Sequence, residues 1–362
     1  MQDDKAAEGL NLTARQCPVI PIVEGGPIRH ACQNKARARA LRDDCLSVFP
    51  SALRPLLPAL DEIARRWLSR SGSPYVYEID EIAANLRFSG VWLLNNSYQW
   101  GCTALAREED GAPWLSRSLD WPFPGLGRHT DIGRIKGTAG TYFSVTWPGY
   151  VGVLTAMAPG RFAACLNQAP MRRRMQHPWL RPCDMAANAI HTYARVREIP
   201  PDQLLRQVFE ECHSYSLARM RLEQTRVALP VIYTLIGCAP GECCVIERTE
   251  NEFATREVET SAANDWLPQR QGWEARMSAS LLLTNPPGNA AAHCESRRLG
   301  LAQWSGLLSA PGFAWLKPPV LNSYTRLAVT MSPAYAVLRV AGFEQQGQIL
   351  PEQVTQTSEI VF

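Results

Sequence analysis

A thiol, a cation and a carboxylate lie close together in two short runs, Gly101-Cys102-Thr103-Ala104-Leu105-Ala106-Arg107 and Trp114-Leu115-Ser116-Arg117-Ser118-Leu119-Asp120-Trp121, separated by an Asp110-Gly111 turn. Two β-compatible stretches on either side of Asp-Gly predict an antiparallel hairpin, which brings the start of the first strand to the end of the second. Cys102, Arg117 and Asp120 then meet. A separation of three puts Arg117 and Asp120 on opposite faces of an ideal strand, so a shared site needs a bend or a strand end between them.

A thiol is largely protonated at neutral pH and needs a base or a depressed pKa to attack a carbonyl. None of the six histidines, His30, His129, His177, His191, His213 and His293, stands in an evident Cys-His-Asn arrangement. An α-amino group, with an ordinary pKa of about 7.7 to 8.0, is another base. If the chain is cut between Gly101 and Cys102, Cys102 supplies both thiol and base. Gly101 suits a scissile position because glycine tolerates strained backbone angles and leaves its carbonyl open. The plain alternative is a small buried hydrophobe at a strand start, with Arg117 and Asp120 a surface ion pair worth under about 1 kcal/mol.

The elements that must position this hairpin fall into two textures. Residues 1 to about 35, broken by Pro18, Pro21, Gly25, Gly26 and Pro27, read as an irregular arm. Helical spacing follows from Ala36 to about Cys45, from Ser51 to about Ser69 and from Tyr77 to Leu86. Residues 1–101 are thus expected to form a helical segment that delivers the chain to Cys102. Strands are expected at Cys102–Arg107, Pro113–Asp120, Tyr142–Trp147, Tyr150–Met157 and Arg161–Asn167, an antiparallel meander. Helices follow at about Asp184–Val196, Pro201–Cys212 and Ser216–Glu223. Further strands are read at Pro230–Gly237, Cys243–Arg248, Glu252–Val258 and Ser280–Thr284. A helix near Ser296–Leu307 precedes a closing strand pair, Thr325–Met331 and Ala334–Val340. Strands, then helices, then strands imply an α+β fold with helices packed outside sheets.

Composition narrows the function classes. With 362 residues, 46% hydrophobic and 20% charged, the chain is an ordinary globular one with a large core. A net charge of +3, with Lys and Arg dispersed apart from Arg172-Arg173-Arg174, gives no nucleic-acid footprint. No window nears the roughly 18 apolar residues of a membrane span, and Met1-Gln2-Asp3-Asp4-Lys5 opens no signal peptide, so a cytoplasmic protein without stable membrane insertion is expected. Eleven cysteines, an odd number in a long chain, read as reduced core thiols. Cys238, Cys243 and Cys244 lack the partners of a zinc site, so neither metal nor cofactor is expected. The Gly125-Leu126-Gly127 run follows Pro122 and Pro124 and opens no helix, which makes it a loop and not a phosphate cradle.

The run from Cys102-Thr103 through Arg117-Ser118-Leu119-Asp120-Trp121 resembles the Cys-Thr-Ser and Arg-Asn-x-Asp segments of the acid ceramidase and N-acylethanolamine acid amidase family, relatives of choloylglycine hydrolases among the N-terminal nucleophile (Ntn) hydrolases. The likeness continues in order through Gly149-Tyr150-Val151-Gly152-Val153-Leu154-Thr155, Pro159-Gly160-Arg161-Phe162, Leu166-Asn167, Val208-Phe209-Glu210, Ser214-Tyr215 and Pro230-Val231-Ile232-Tyr233. Thr284-Asn285, Arg297-Arg298 and Pro319-Val320-Leu321-Asn322 complete it. The resemblance implies an αββα sandwich of two antiparallel sheets made by autoproteolysis. It implies residues 1–101 as a separable segment that stays associated, 102–362 as the catalytic domain, and linear N-acyl amides, such as N-acyl amines or ceramide-like lipids, as small-molecule substrates. Cys102 matches the nucleophile, and Arg117 and Asp120 match the pair that holds its sulfur and new amine. Asn285 matches the oxyanion-hole side chain, and Arg298 the arginine near the substrate end.

Without the resemblance, Asn285 before Pro286-Pro287-Gly288 is a turn former and Arg297-Arg298 a solvated pair. Asn167 either caps a strand turn or orients substrate; with Tyr98 and Trp121 it completes the substrate-binding candidates. The chain departs from the family at Gln168, where a glutamate is common, which removes a carboxylate able to assist maturation. The absent signal sequence favours a neutral-pH intracellular enzyme over an acid hydrolase. Three other functions stay open: an acyltransferase using an amine acceptor, an uncut protein that binds acylated ligands, and a cysteine-rich metal protein.

Overall fold

The computed structural model describes residues 17–96, 101–175, 177–258, 260–276 and 288–361. Tyr98, Asn285 and the strand expected at Ser280–Thr284 lie outside the described residues.

The described part of the segment ahead of Cys102 is helical, and the irregular arm expected over residues 1–35 does not hold from Ile22 onward, residues 1–16 lying outside the described ones. Strand β1 (Ile22–Glu24) and helix α1 (Gly26–Gln33) already occupy it. Pro27 sits in the first turn of α1, where a missing N–H costs nothing, so the Gly25-Gly26-Pro27 cluster starts a helix. Helices α2 (Lys35–Leu46), α3 (Leu57–Leu68), α4 (Val76–Leu86) and α5 (Val91–Leu94) follow, with a 3-10 turn at Ser51–Leu56 before α3. They pack around Trp67, Leu68, Ile79, Ile82 and Trp92, a core shared with Val151, Val196 and Ala228 from beyond Cys102.

The hairpin forms as the sequence predicts. Strands β2 (Gly101–Glu109) and β3 (Ala112–Asp120) pair antiparallel, Gly101 opposite Asp120. Asp110 and Gly111 turn with φ of 52° and 79°, the positive pair of a type I′ turn. Strands β4 (Asp131–Gly137), β5 (Gly140–Thr146), β6 (Thr155–Ala158) and β7 (Phe162–Gln168) continue the meander. β4 was not expected: its alternation carries Arg134 and Lys136 between glycines, with no apolar run. β6 is shorter than the expected Tyr150–Met157 because the preceding backbone bonds elsewhere, Val151 N–H to Asn95 and Val153 N–H to the Asp202 carbonyl.

The short β8 (Met171–Arg172) leads to helices α6 (Arg181–Arg195), α7 (Pro201–Glu211) and α8 (Tyr215–Gln224). Strands β9 (Val231–Ile236), β10 (Cys243–Arg248), β11 (Phe253–Arg256), β12 (Ser261–Ala262) and β13 (Trp273–Glu274) come next. Helix α9 (Gly288–Ala302) starts well before the expected Ser296, and β14 (Thr325–Ser332), β15 (Val337–Glu344), β16 (Glu352–Gln353) and β17 (Ser358–Val361) close the chain.

The strands form two large sheets. One runs β1-β4-β5-β6-β7-β9-β10-β11, the other β12-β2-β3-β14-β15 with β16 and β17 both on β15; β8 and β13 pair separately. Pairing is antiparallel except at one edge, where β1 joins β4 in parallel. Alternation along β2 decides what each face buries. Cys102, Ala104 and Ala106 face the other sheet and join Leu166, Tyr233, Val329 and Val340 in the central core. Leu105 faces outward into a second core with Trp114, Ala328 and Leu301 of α9. Helices α7 and α8 cover the first sheet with Leu204, Leu205, Phe209 and Leu222. The layers are therefore helix, sheet, sheet, helix, the αββα sandwich of the Ntn hydrolases, with Cys102 between the sheets. Among the described residues, no helix is long and apolar enough to cross a membrane.

Candidate active site

Opposed residues of an antiparallel pair share a face, so Cys102 opposite Leu119 and Ala104 opposite Arg117 put thiol and guanidinium together. Arg117 Nη2 donates to Cys102 Sγ at 2.7 Å and to the Leu166 carbonyl at 3.3 Å. Its Nη1 donates to the Leu154 carbonyl at 3.0 Å and to Thr155 Oγ1. Among the described residues no carboxylate pairs with this fully buried cation. Cys102 Sγ lies 3.7 Å from the Leu166 carbonyl.

Asp120 lies opposite Gly101 and, by the same alternation, projects to the other face with Thr103. No bend brings it round to the sulfur. Asp120 Oδ2 accepts from Arg297 Nη1 at 3.1 Å and from Asn322 Nδ2 at 2.8 Å, and Oδ1 accepts from Thr325 Oγ1 at 2.9 Å. Arg297 links this face to Cys102, donating from Nη1 to the Cys102 carbonyl at 3.0 Å and to Thr103 Oγ1 at 3.1 Å. Its Nη2 donates to Asn264 Oδ1 at 3.0 Å, the atom that also accepts the Cys102 N–H at 2.9 Å. Asn264 is fixed in turn by its Nδ2, which donates to the Gln168 carbonyl at 2.9 Å. Both peptide groups flanking the Cys102 Cα are thus gripped.

Burial pushes the Cys102 thiol above its ordinary value; Arg117 draws it down, Asp120 adds to the rise and Arg297 opposes it. The net direction is up, so the thiol is held protonated at neutral pH. His293, one turn before Arg297 on α9, is depressed by burial and by Arg297. Among the described residues no histidine hydrogen-bonds to Cys102 or Asp120, and no group of three or more His, Cys, Asp or Glu could hold a metal ion.

The sequence-derived candidates therefore separate. Gly101, Cys102, Arg117 and Asp120 come together on the hairpin. Arg298 does not reach it: its Nη1 donates to Ser261 Oγ at 3.4 Å, and its neighbour Arg297 reaches the Cys102 carbonyl. Asn167 Nδ2 donates to the carbonyls of Ala262 at 3.3 Å and Ala263 at 3.2 Å, tying β7 to the β12 edge of the other sheet. Trp121 lines a cavity. Sequence reasoning assigned no role to Asn264, Arg297, Asn322 or Thr325. Asn322 lay in a segment that carried the resemblance, whereas Asn264, between Ala263 and Asp265, carries no local signal.

Two cavities flank α5. The first, about 240 Å³, is lined by Leu41, Cys45, Phe49, Leu57, Phe88 and Trp121 among others. The second, about 370 Å³, touches Leu166, Gln168, Met171, Met185, Tyr193 and Arg276. Leu93 borders both.

A strand-initial cysteine between the two sheets of an αββα sandwich is the arrangement that the resemblance to the Ntn hydrolases leads one to expect. No family model matches the chain, but known proteins do. The chain is 25% identical over 243 residues to N-acylethanolamine-hydrolyzing acid amidase of Cavia porcellus, covering 65% of this chain and 61% of that protein. It is 27% identical over 201 residues to the Rattus norvegicus protein of the same name, covering 53% and 52%. It thus matches between about half and three fifths of the length of these curated relatives. Among solved structures, the Caenorhabditis elegans N-acylethanolamine-hydrolyzing acid amidase ortholog aligns with a TM-score of 0.45 and 19% identity, over 64% of this chain and 93% of that one. A conjugated bile acid hydrolase from Clostridium perfringens aligns with a TM-score of 0.42 and 11% identity, over 72% and 97%. The chain is thus similar, over part of their length, to N-acylethanolamine-hydrolyzing acid amidases.

Proposed function

We propose that the chain is a self-processing cysteine amidase that hydrolyses linear N-acyl amides through an acyl-enzyme at Cys102. The observation that carries this reading is the grip on Cys102: a buried, carboxylate-free Arg117 at its sulfur, Asn264 at its nitrogen and Arg297 at its carbonyl. In the first act Sγ attacks the Gly101 carbonyl carbon, the thiol proton passes to the Cys102 nitrogen, and the peptide bond is exchanged for a thioester. Water hydrolyses the thioester, leaving a Gly101 carboxylate, a free thiol and a new amine. Residues 17–96 share a core with the rest of the chain, which supports the cut segment staying in place.

In turnover the amine takes the thiol proton as Sγ attacks the substrate carbonyl, and returns it to the leaving amine. Asn264 Oδ1, already bonded to the Cys102 nitrogen, orients that amine. Arg117 stabilises the thiolate, backbone donors meet the oxyanion, a task the resemblance also gives Asn285, and water deacylates the enzyme. The acyl chain lies in the apolar cavity beside Trp121, the residue that follows Asp120.

Intact-mass measurement tests the first act: a fragment beginning at Cys102 in the wild type and an uncut chain in Cys102→Ala. Release assays on N-acyl ethanolamines and ceramide-like amides test the second. A cut chain that never forms an acyl-Cys102 species with any amide overturns the catalytic reading. An uncut wild type that binds acyl amides identifies a binding protein.

A further inference from the structure

Two cavities meet at Leu93, and they differ in charge. The cavity beside Trp121 is walled almost wholly by apolar side chains, and its one charged lining residue, Arg42, is engaged by Asp43 at 2.6 Å. The cavity beside Leu166 carries Arg276, and behind it two further arginines and two acids are paired. Arg173 pairs with Asp184 at 2.7 Å and with Glu274, and Arg181 pairs with Glu274 at 2.6 Å. Both acids are thereby taken. Arg276 is left over: its Nε is buried without a partner, and among the described residues its guanidinium makes no hydrogen bond or ion pair. Burial pushes Arg276 down to about 10, Arg181 adds to the fall and Glu274 opposes it, which still leaves a cation at neutral pH.

An uncompensated guanidinium facing a cavity is costly unless an anion arrives. Its backbone is locked to the nucleophile's support. Arg276 N–H donates to the Asn264 carbonyl at 3.1 Å, and Cys294 Sγ donates to the Arg276 carbonyl at 3.1 Å. The same cavity touches Leu166, whose carbonyl lies against Cys102 Sγ. A ligand there is held from a segment joined to the site, by a fork built for a carboxylate.

We propose that Arg276 is a specificity-determining residue that binds a carboxylate on the amine half of the substrate, so that the preferred substrates are N-acyl amino acids and not neutral N-acyl amines. The assignment to the amine half follows from the apolar cavity, which suits the acyl chain and offers an anion nothing. This rests on the amidase reading above and narrows its substrate class.

The test compares N-palmitoylglycine, its methyl ester, N-palmitoylethanolamine and the glycine-free monoamide of a long dicarboxylic acid on the self-cut enzyme. The wild type is expected to favour the free acid over its ester and over the ethanolamide by about 10- to 100-fold in kcat/KM, the worth of a charge-assisted hydrogen bond. In Arg276→Gln that preference collapses through KM, and Arg276→Lys recovers part of it. Equal rates on acid and ester in the wild type overturn the proposal without any variant. Preference for the dicarboxylic monoamide overturns the assignment to the amine half. If no amide is turned over, the catalytic reading has failed and binding decides: uncut Cys102→Ala should take up N-palmitoylglycine at least about tenfold more tightly than the ethanolamide, and equal binding overturns the role of Arg276.

Discussion

On one face of the β2–β3 hairpin Arg117 meets carbonyls, a hydroxyl and a sulfur, with no carboxylate among the described residues; on the other, Arg297 is shared among Asp120, Asn264, Thr103 and the Cys102 carbonyl. Both cations are fully buried. The first has charge to spare and the second is balanced. An unbalanced cation beside a thiol favours the thiolate whenever one forms, so that face is suited to reaction. A balanced cation holding the Cys102 carbonyl and the side chains of both strand ends fixes position. Chemistry and scaffolding thus sit back to back, separated by one residue step along each strand.

Removing the sulfur breaks the comparison outright. Cys102→Ala should remain a single uncut chain by intact mass and show no amide turnover, with little change in folding, since a small buried side chain is replaced by a smaller one.

Disrupting the balanced face should instead cost stability. Asp120→Ala leaves Arg297 buried without its carboxylate, a change worth about 3–5 kcal/mol. Chemical denaturation should read that loss, and Thr325 and Asn322 lose their acceptor with it. If Asp120→Ala unfolds at the same denaturant concentration as the wild type, the balanced face is not what holds the hairpin end.

The unbalanced face should answer in pH and not in stability alone. Because burial holds the Cys102 thiol above its ordinary value, the thiolate fraction at neutral pH is small and grows about tenfold per pH unit until the thiol pKa is reached. Self-cutting should therefore accelerate from pH 6 to pH 8. Arg117 draws that pKa down, so Arg117→Gln should cut more slowly across this range and need a higher pH for the same rate. A flat wild-type profile would show that proton removal from the thiol is not limiting.

What the sequence made legible follows the same division. The hairpin and its facing could be read because alternation and an Asp-Gly turn are local signals, and Arg117 falls in phase with Cys102. The opposite facing of Asp120 was legible too; neither the bend nor the strand end thought necessary joins it to Cys102, since Arg297 does the bridging. Arg297 itself was not distinguishable from Arg298, since α9 begins at Gly288 and its apolar phase is weak enough that the expected helix was placed eight residues later. Asn264 was invisible because its meaning is a contact with Cys102, 162 residues away. β4 and β1 escaped for a related reason: β1 is three residues long and is a strand only because β4 lies beside it. Signals carried within about ten residues were readable, and those created by long-range pairing were not.

The smallest effect is the sharpest test of which arginine matters. Arg297 and Arg298 are adjacent on α9, and successive helical residues point about 100° apart. Arg297 enters the layer behind β2, whereas Arg298 is partly buried and, among the described residues, reaches only Ser261 Oγ at 3.4 Å. A neutral hydroxyl at that distance holds an arginine weakly. Arg298→Ala should therefore shift stability by no more than about 0.5 kcal/mol and leave the rate of self-cutting within twofold of the wild type. Arg297→Ala, by contrast, leaves Asp120 without its cation and releases the Cys102 carbonyl. The pair differs by one position and one helical step, so any fold-wide disturbance would affect both variants. Equal losses in the two would mean that α9 acts through its packing, and a larger loss in Arg298→Ala would move the site's second cation to the position read from the family likeness.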